Sequence, residues 1–168
     1  MNDSSNFSAA ERVESLKAGS VAALSCLLGF GAIALGNSFI LADRLDSLAS
    51  LQVREIDLNF AARGAIALLG GFLFGVTYRY AIRRDVNPQL KSGAVLAFGL
   101  VRAFGQLDAG LFFEPRKMPA LQELLPFAVR GAESVVLFAI AGLVLDWAIG
   151  RSWIKPFDSR VPNLAAFL

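Results

Sequence analysis

The chain has 168 residues, 55% of them hydrophobic and 18% charged, with 15 glycines, a formal net charge of +2 and a mean hydropathy of +0.55. A soluble domain is typically about a quarter charged, so this composition points to lipid and leaves too little polar sequence for a separate soluble domain. With no histidine and one cysteine, the usual ligands of zinc, di-metal and bis-histidine haem sites are missing, an internal disulfide is excluded, and no cofactor is expected.

Residues 1–15 form a polar tail carrying Glu11, Arg12 and Glu14. A signal peptide has a basic start and a short apolar core, and an organellar transit peptide is rich in Arg and poor in acids, so neither is expected. Crossing a hydrocarbon core of roughly 30 Å takes about 20 mostly apolar residues in a helix. Ala18–Leu41 supplies them without a charge; Gly64–Ile82, Ser92–Phe113 and Phe127–Ile149 supply three more runs, the last two with embedded polar residues. The expected fold is all-α: an integral membrane four-helix bundle of two tandem transmembrane hairpins, over residues 16–84 and 85–151, with a cytoplasmic tail at 152–168. Cys26 falls inside the first run and reads as a small packing residue.

Lys and Arg beside a span resist translocation, so the richer side is cytoplasmic. Arg12, Lys17, Arg79, Arg83, Arg84, Lys91, Arg151, Lys155 and Arg160 fall on one side, against Arg44, Arg54, Arg116 and Lys117 on the other. Both termini are accordingly expected in the cytoplasm, in a bacterial inner membrane or a thylakoid membrane. Topology accounts for the small positive charge, and the loops supply no basic patch for nucleic acid.

Phe60-Ala61-Ala62-Arg63-Gly64-Ala65 recurs as Phe127-Ala128-Val129-Arg130-Gly131-Ala132, and Leu16-Lys17-Ala18-Gly19 matches Leu90-Lys91-Ser92-Gly93. A duplicated hairpin is expected, its copies inserted the same way round and related by an approximate two-fold axis along the membrane normal. The repeat sets Arg63 and Arg130 at the outer ends of the second and fourth helices, where an arginine reaches lipid phosphate or a partner's carboxylate. The adjoining glycine would let another backbone come close. Since a cation at a helix N-terminus opposes the dipole, a particular partner is favoured over a bare surface position.

Helices in lipid associate through small residues, and Gly71 and Gly75 form a GxxxG pair expected to pack on another helix, within the chain or in a second copy. The third run is the unusual one, with Arg102 near its middle, Gln106 one turn on and Asp108 beyond. An unpaired arginine there is costly. At about 1.5 Å per residue, Glu133 lies roughly 6 Å nearer the outer face than Arg102, within reach of its side chain, and Asp108 shares a depth with Arg130. Asp146 falls at the inner face beside Arg79, Arg83 and Lys91. Three opposite-charge pairings are thus expected, Arg102–Glu133, Asp108–Arg130 and one at Asp146. Arg102, Gln106 and Glu133 either fix the packing of the last two helices or line a polar cleft for a small anionic or proton-coupled ligand.

Tyr78-Arg79-Tyr80-Ala81-Ile82-Arg83-Arg84-Asp85, Asn87-Pro88-Gln89-Leu90-Lys91-Ser92-Gly93 and Ala97-Phe98-Gly99-Leu100-Val101-Arg102 resemble a group of small, uncharacterised multi-pass membrane proteins of cyanobacteria and plastids. The resemblance implies a thylakoid or plasma membrane and brings no catalytic residues. Glu55, Asn59 and Arg63 are residue types found in the chlorophyll-binding motif of light-harvesting-like proteins. Their spacing is wider than that motif's, and the second repeat has no Asn at the corresponding place, so pigment ligation is not expected.

An enzyme needs a nucleophile with its base, paired catalytic carboxylates or a metal cluster, and the sequence offers none. The function expected first is a non-catalytic accessory, assembly or structural component of a larger membrane complex, a photosynthetic one included. Its partners would be lipids and other membrane subunits or a second copy. The alternative is a small transporter or channel with a polar site on the third and fourth helices.

Overall fold

The computed structural model describes residues 9–41, 57–83, 87–113 and 121–157. Glu55, Arg44, Arg54, Arg84, Arg116, Lys117 and Arg160 lie outside the described residues.

Regular structure in those residues is helical: α1 (Ala9–Gly36), continuing into a π-helical turn (Asn37–Leu41), α2 (Leu58–Ile82), α3 (Pro88–Phe113) and α4 (Leu121–Gly150). Local chemistry sets the ends. Asp57 caps α2 by accepting from the Phe60 N–H at 2.8 Å, which satisfies one of the donors that a first helical turn leaves over. α3 starts on Pro88, whose missing N–H costs nothing in a first turn, and the Asn87 side chain accepts from the Gln89 N–H at 3.0 Å. The Arg83 N–H returns to the Arg79 carbonyl at 3.2 Å and closes α2.

Among the described residues three helices are long and apolar enough to cross a membrane: Ala9–Phe39, Leu58–Ile82 and Leu125–Gly150. Large apolar side chains cover their outward faces, Leu28 at 74% exposure and Leu143 at 70%, as lipid requires and water does not tolerate. The chain is therefore a multi-pass membrane protein. α3 differs from the expectation of a fourth equally apolar run. It has the length, but Arg102, Gln106 and Asp108 interrupt it, and the first two line a cleft between the helices.

α1 runs along α2, and α3 along α4, with α1 also lying against α4. Side-chain contacts at the ends make these neighbours antiparallel: Glu11 near the start of α1 meets Arg79 near the end of α2, and Lys91 of α3 meets Asp146 of α4. Small residues bring α1 and α2 together. A Cβ at Gly71 would lie 2.8 Å from the Ala22 carbonyl oxygen, and one at Gly75 would overlap the Ala18 carbonyl. The partner of the Gly71–Gly75 stripe is thus α1 of the same chain, through fully buried Ala18, Ala22 and Cys26. On the α3–α4 seam, Gly99 lies over the Val135 backbone. Along the axis sit Phe74, Phe98 and Phe138, three rings whose centroids are 5.3–5.7 Å apart.

Candidate functional site

Each helix contributes to one polar well in the half of the bundle that holds the end of α1 and the starts of α2 and α4. Arg63 comes from α2, Arg102 and Gln106 from α3, Arg130, Glu133 and Ser134 from α4, and Asn37 from the π-helical turn after α1; Phe30, Ile33, Ala34, Phe60 and Leu137 complete the wall. The well encloses about 480 Å³ of atom-free space, its mouth included. Beyond Leu137 the neighbouring Phe138 and the other two axial rings close it off.

The reasons for these positions are local. Arg102 and Gln106 are one helical turn apart and so share a face, as do Arg130, Ser134 and Leu137 along α4. A π-helical turn is wider than an α turn and commonly marks functional sites; here it carries the buried Asn37, whose Nδ2 donates to Glu133 Oε1 at 2.7 Å. Gln106 Nε2 donates to Ser134 Oγ at 3.2 Å, and that hydroxyl donates to the Arg130 carbonyl at 2.9 Å. Arg63 is exposed at the rim, whereas Arg102 and Arg130 are half-buried. Arg63 lies near enough to both to repel them.

The expected pairings resolve differently from the depth arithmetic. Arg102 and Glu133 line the same well, yet no ion pair joins them: Glu133 is held by Asn37, and Arg102 makes no hydrogen bond or ion pair among the described residues. Depth fixes how far along the axis a group lies, but not which neighbour reaches it first. Asp108 is exposed and lies outside the well, because it stands two residues beyond Gln106 and so faces nearly the opposite way on the helix. No ion pair among the described residues links it to Arg130. Asp146 pairs with Lys91 at 2.9 Å and accepts from the Tyr78 hydroxyl at 3.0 Å, while Arg79 turns to Glu11. The glycines after Arg63 and Arg130 have less to do than expected, since a Cβ at Gly64 or Gly131 would make only ordinary contacts of 3.5 and 3.6 Å.

The sequence placed Arg79 in the orientation count and among the three cations beside Asp146, with no larger role. It is 1% exposed and makes four polar contacts: Nε to the Lys155 carbonyl at 2.8 Å, Nη1 to Ser15 Oγ at 2.8 Å and the Glu11 carbonyl at 3.4 Å, and Nη2 to the Glu11 carboxylate. The start of α1, the end of α2 and the segment after α4 are thereby tied together. A signal existed, because Arg79 follows Gly71 and Gly75 at intervals of four along the buried stripe of α2. Asn37 was missed too; nothing in the local sequence announces a π-helical turn.

Among the described residues no group of three His, Cys, Asp or Glu side chains is placed to hold a metal ion. Comparison of the chain with protein-family models, curated proteins and solved structures finds no match in any of the three.

Proposed function

We propose that the chain is a non-catalytic, multi-pass membrane protein that binds a small oxyanion in its axial well. The observation that carries this is the excess of guanidinium over carboxylate there. Arg63 and Arg102 have no hydrogen bond or ion pair among the described residues, and Glu133, the carboxylate in the wall, is engaged by Asn37. An arginine at the centre of a membrane helix costs about 2.5–3.5 kcal/mol by insertion measurements, a penalty that a bound anion offsets. Planar N–H forks suit carboxylate, phosphate or sulfate better than a spherical halide. The apolar side of the wall, with Phe30, Ile33 and Phe60, keeps those contacts strong by limiting water.

The same reading takes the chain across the membrane four times with both termini cytoplasmic, α3 turning Arg102 and Gln106 inward toward the three apolar helices. The duplicated-hairpin reading is supported by the repeated Arg-Gly segment, whose two arginines reach one well from α2 and α4. An accessory role in a larger complex is supported by the short connections and the glycine-lined helices. Co-purification from the native membrane, with fractionation of thylakoid and plasma membranes, tests that role.

The binding test is thermal unfolding of the full chain in nanodiscs with added sulfate, phosphate or acetate. A bound anion raises Tm as its concentration passes Kd. Arg102→Gln should weaken the effective anion by about 10–100-fold, the equivalent of losing one charge-assisted contact of roughly 1.5–3 kcal/mol. No stabilisation by any of the three anions would remove the proposal.

A further inference from the structure

We propose that the well is one half of an anion path along the bundle axis, that Phe74, Phe98 and Phe138 form its gate, and that Lys91, Asp146 and Tyr78 latch the far side. This rests on the oxyanion reading of the well and adds transport to it.

The axial order of the side chains motivates the path. On α3, Lys91, Phe98 and Arg102 lie at helical spacing on one face, and the two cations are about 16 Å apart along the axis. Phe98 stands between them, in contact with Phe74 of α2 and Phe138 of α4. An anion at Arg102 is therefore separated from the next cation by the ring layer and by the buried apolar residues beyond it, Ala141 and Leu145 on α4. The rings rest against glycines: the tip of Phe138 lies 3.5 Å from where a Cβ would stand on Gly70, and that of Phe74 lies 3.7 Å from the same position on Gly142. Phe74 and Phe138 are 0% and 2% exposed, so the gate is shut in this structure and opens only as the helices around it move.

Beyond the rings the polar groups are occupied. Lys91 Nζ lies 2.9 Å from Asp146 Oδ2, and the Tyr78 hydroxyl donates to Oδ1 at 3.0 Å, so one carboxylate joins α2, α3 and α4. Both partners of the ion pair are 31% exposed. A pair that exposed is weak enough to be broken and remade, and an anion arriving at Lys91 would replace Asp146 as its partner. α1 and α2 are held as one unit by the glycine stripe and by Arg79, and that unit meets the other pair chiefly where α1 lies against α4, since α2 touches α3 and α4 only sparsely. Rocking of one helix pair against the other would open the latch while narrowing the well, as alternating access requires.

The test uses the full chain in liposomes and measures uptake of radiolabelled sulfate, phosphate and acetate, alongside equilibrium binding to the same preparations. Wild type should carry the anion it binds, with a saturable rate. Phe138→Ala should speed uptake about tenfold, the effect of lowering a barrier by 1.4 kcal/mol, and make it linear in concentration. Phe98→Ala should act the same way at a less buried position, which covers a folding failure of the first variant. Asp146→Asn, which weakens the latch at constant volume, should speed uptake severalfold; Leu143→Ala on the lipid face should change nothing. Normal binding with no uptake by wild type, either Phe variant or Asp146→Asn would overturn the path and leave the binding site standing. Absence of binding would overturn both.

Discussion

Arg79 shows how much one side chain does at the end of the bundle away from the well. With its guanidinium removed, the Lys155 carbonyl and Ser15 hydroxyl lose this donor and Glu11 loses this ion pair. The guanidinium is buried but Glu11 is 28% exposed, so breaking the pair costs less than the roughly 3–5 kcal/mol of a fully buried one, about 2 kcal/mol. Arg79→Met should therefore destabilise by about that amount in chemical unfolding from micelles, and Arg79→Lys should restore little, because an ammonium cannot reach the four acceptors arrayed around the guanidinium. A loss as small as that of an exposed arginine would show that the cluster contributes nothing to stability. Asp57 offers a second check. Its hydrogen bond from the Phe60 N–H, helped by the Asn59 side chain, holds its carboxyl below the ordinary aspartate value of 3.8. With the folded-state value depressed, the cap is fully present above that ordinary value and is lost only as pH falls through the lower one. Amide exchange at Phe60 should speed up in Asp57→Ala at neutral pH and stay slow in Asp57→Asn, since Asn caps about as well.

At the level of elements, sequence and structure agree where the signal is long and repeated. Three apolar runs became three membrane-length helices because about 20 mostly apolar residues leave few alternatives in lipid. Boundaries were less readable. α1 starts nine residues before the apolar run and α4 six before its own, since amphipathic flanks extend a helix without raising its hydropathy. The glycines separate into those that matter and those that do not, which composition could not reveal. Gly75→Ala drives a Cβ into the Ala18 carbonyl and should cost about 1–3 kcal/mol. At Gly105, where an added Cβ meets nothing within 4 Å, alanine should be neutral or stabilise by up to about 1 kcal/mol. Paired unfolding curves of the two variants test the α1–α2 seam, and equal effects would show that the close approach is not what holds it.

For the whole molecule, the sequence made the site's ingredients readable but not their assembly. Arg102, Gln106 and Glu133 stood out as polar residues in apolar runs, and Arg63 and Arg130 through the repeat. What it could not show is that all five face one well, that Asn37 reaches Glu133 first, or that Asp108 is left outside. Those outcomes depend on helix rotation and on a π-helical turn, which periodicity does not encode. The central claim is that the well holds an oxyanion against its arginines, with Glu133 opposing the charge. Isothermal titration of sulfate, phosphate and acetate into the full chain in nanodiscs, compared across wild type, Arg102→Gln and Glu133→Gln, tests it most directly. Binding should weaken in the first variant and tighten in the second, because one removes a cation facing the ligand and the other removes a competing anion. Loss in both, or no binding in wild type, would contradict the account.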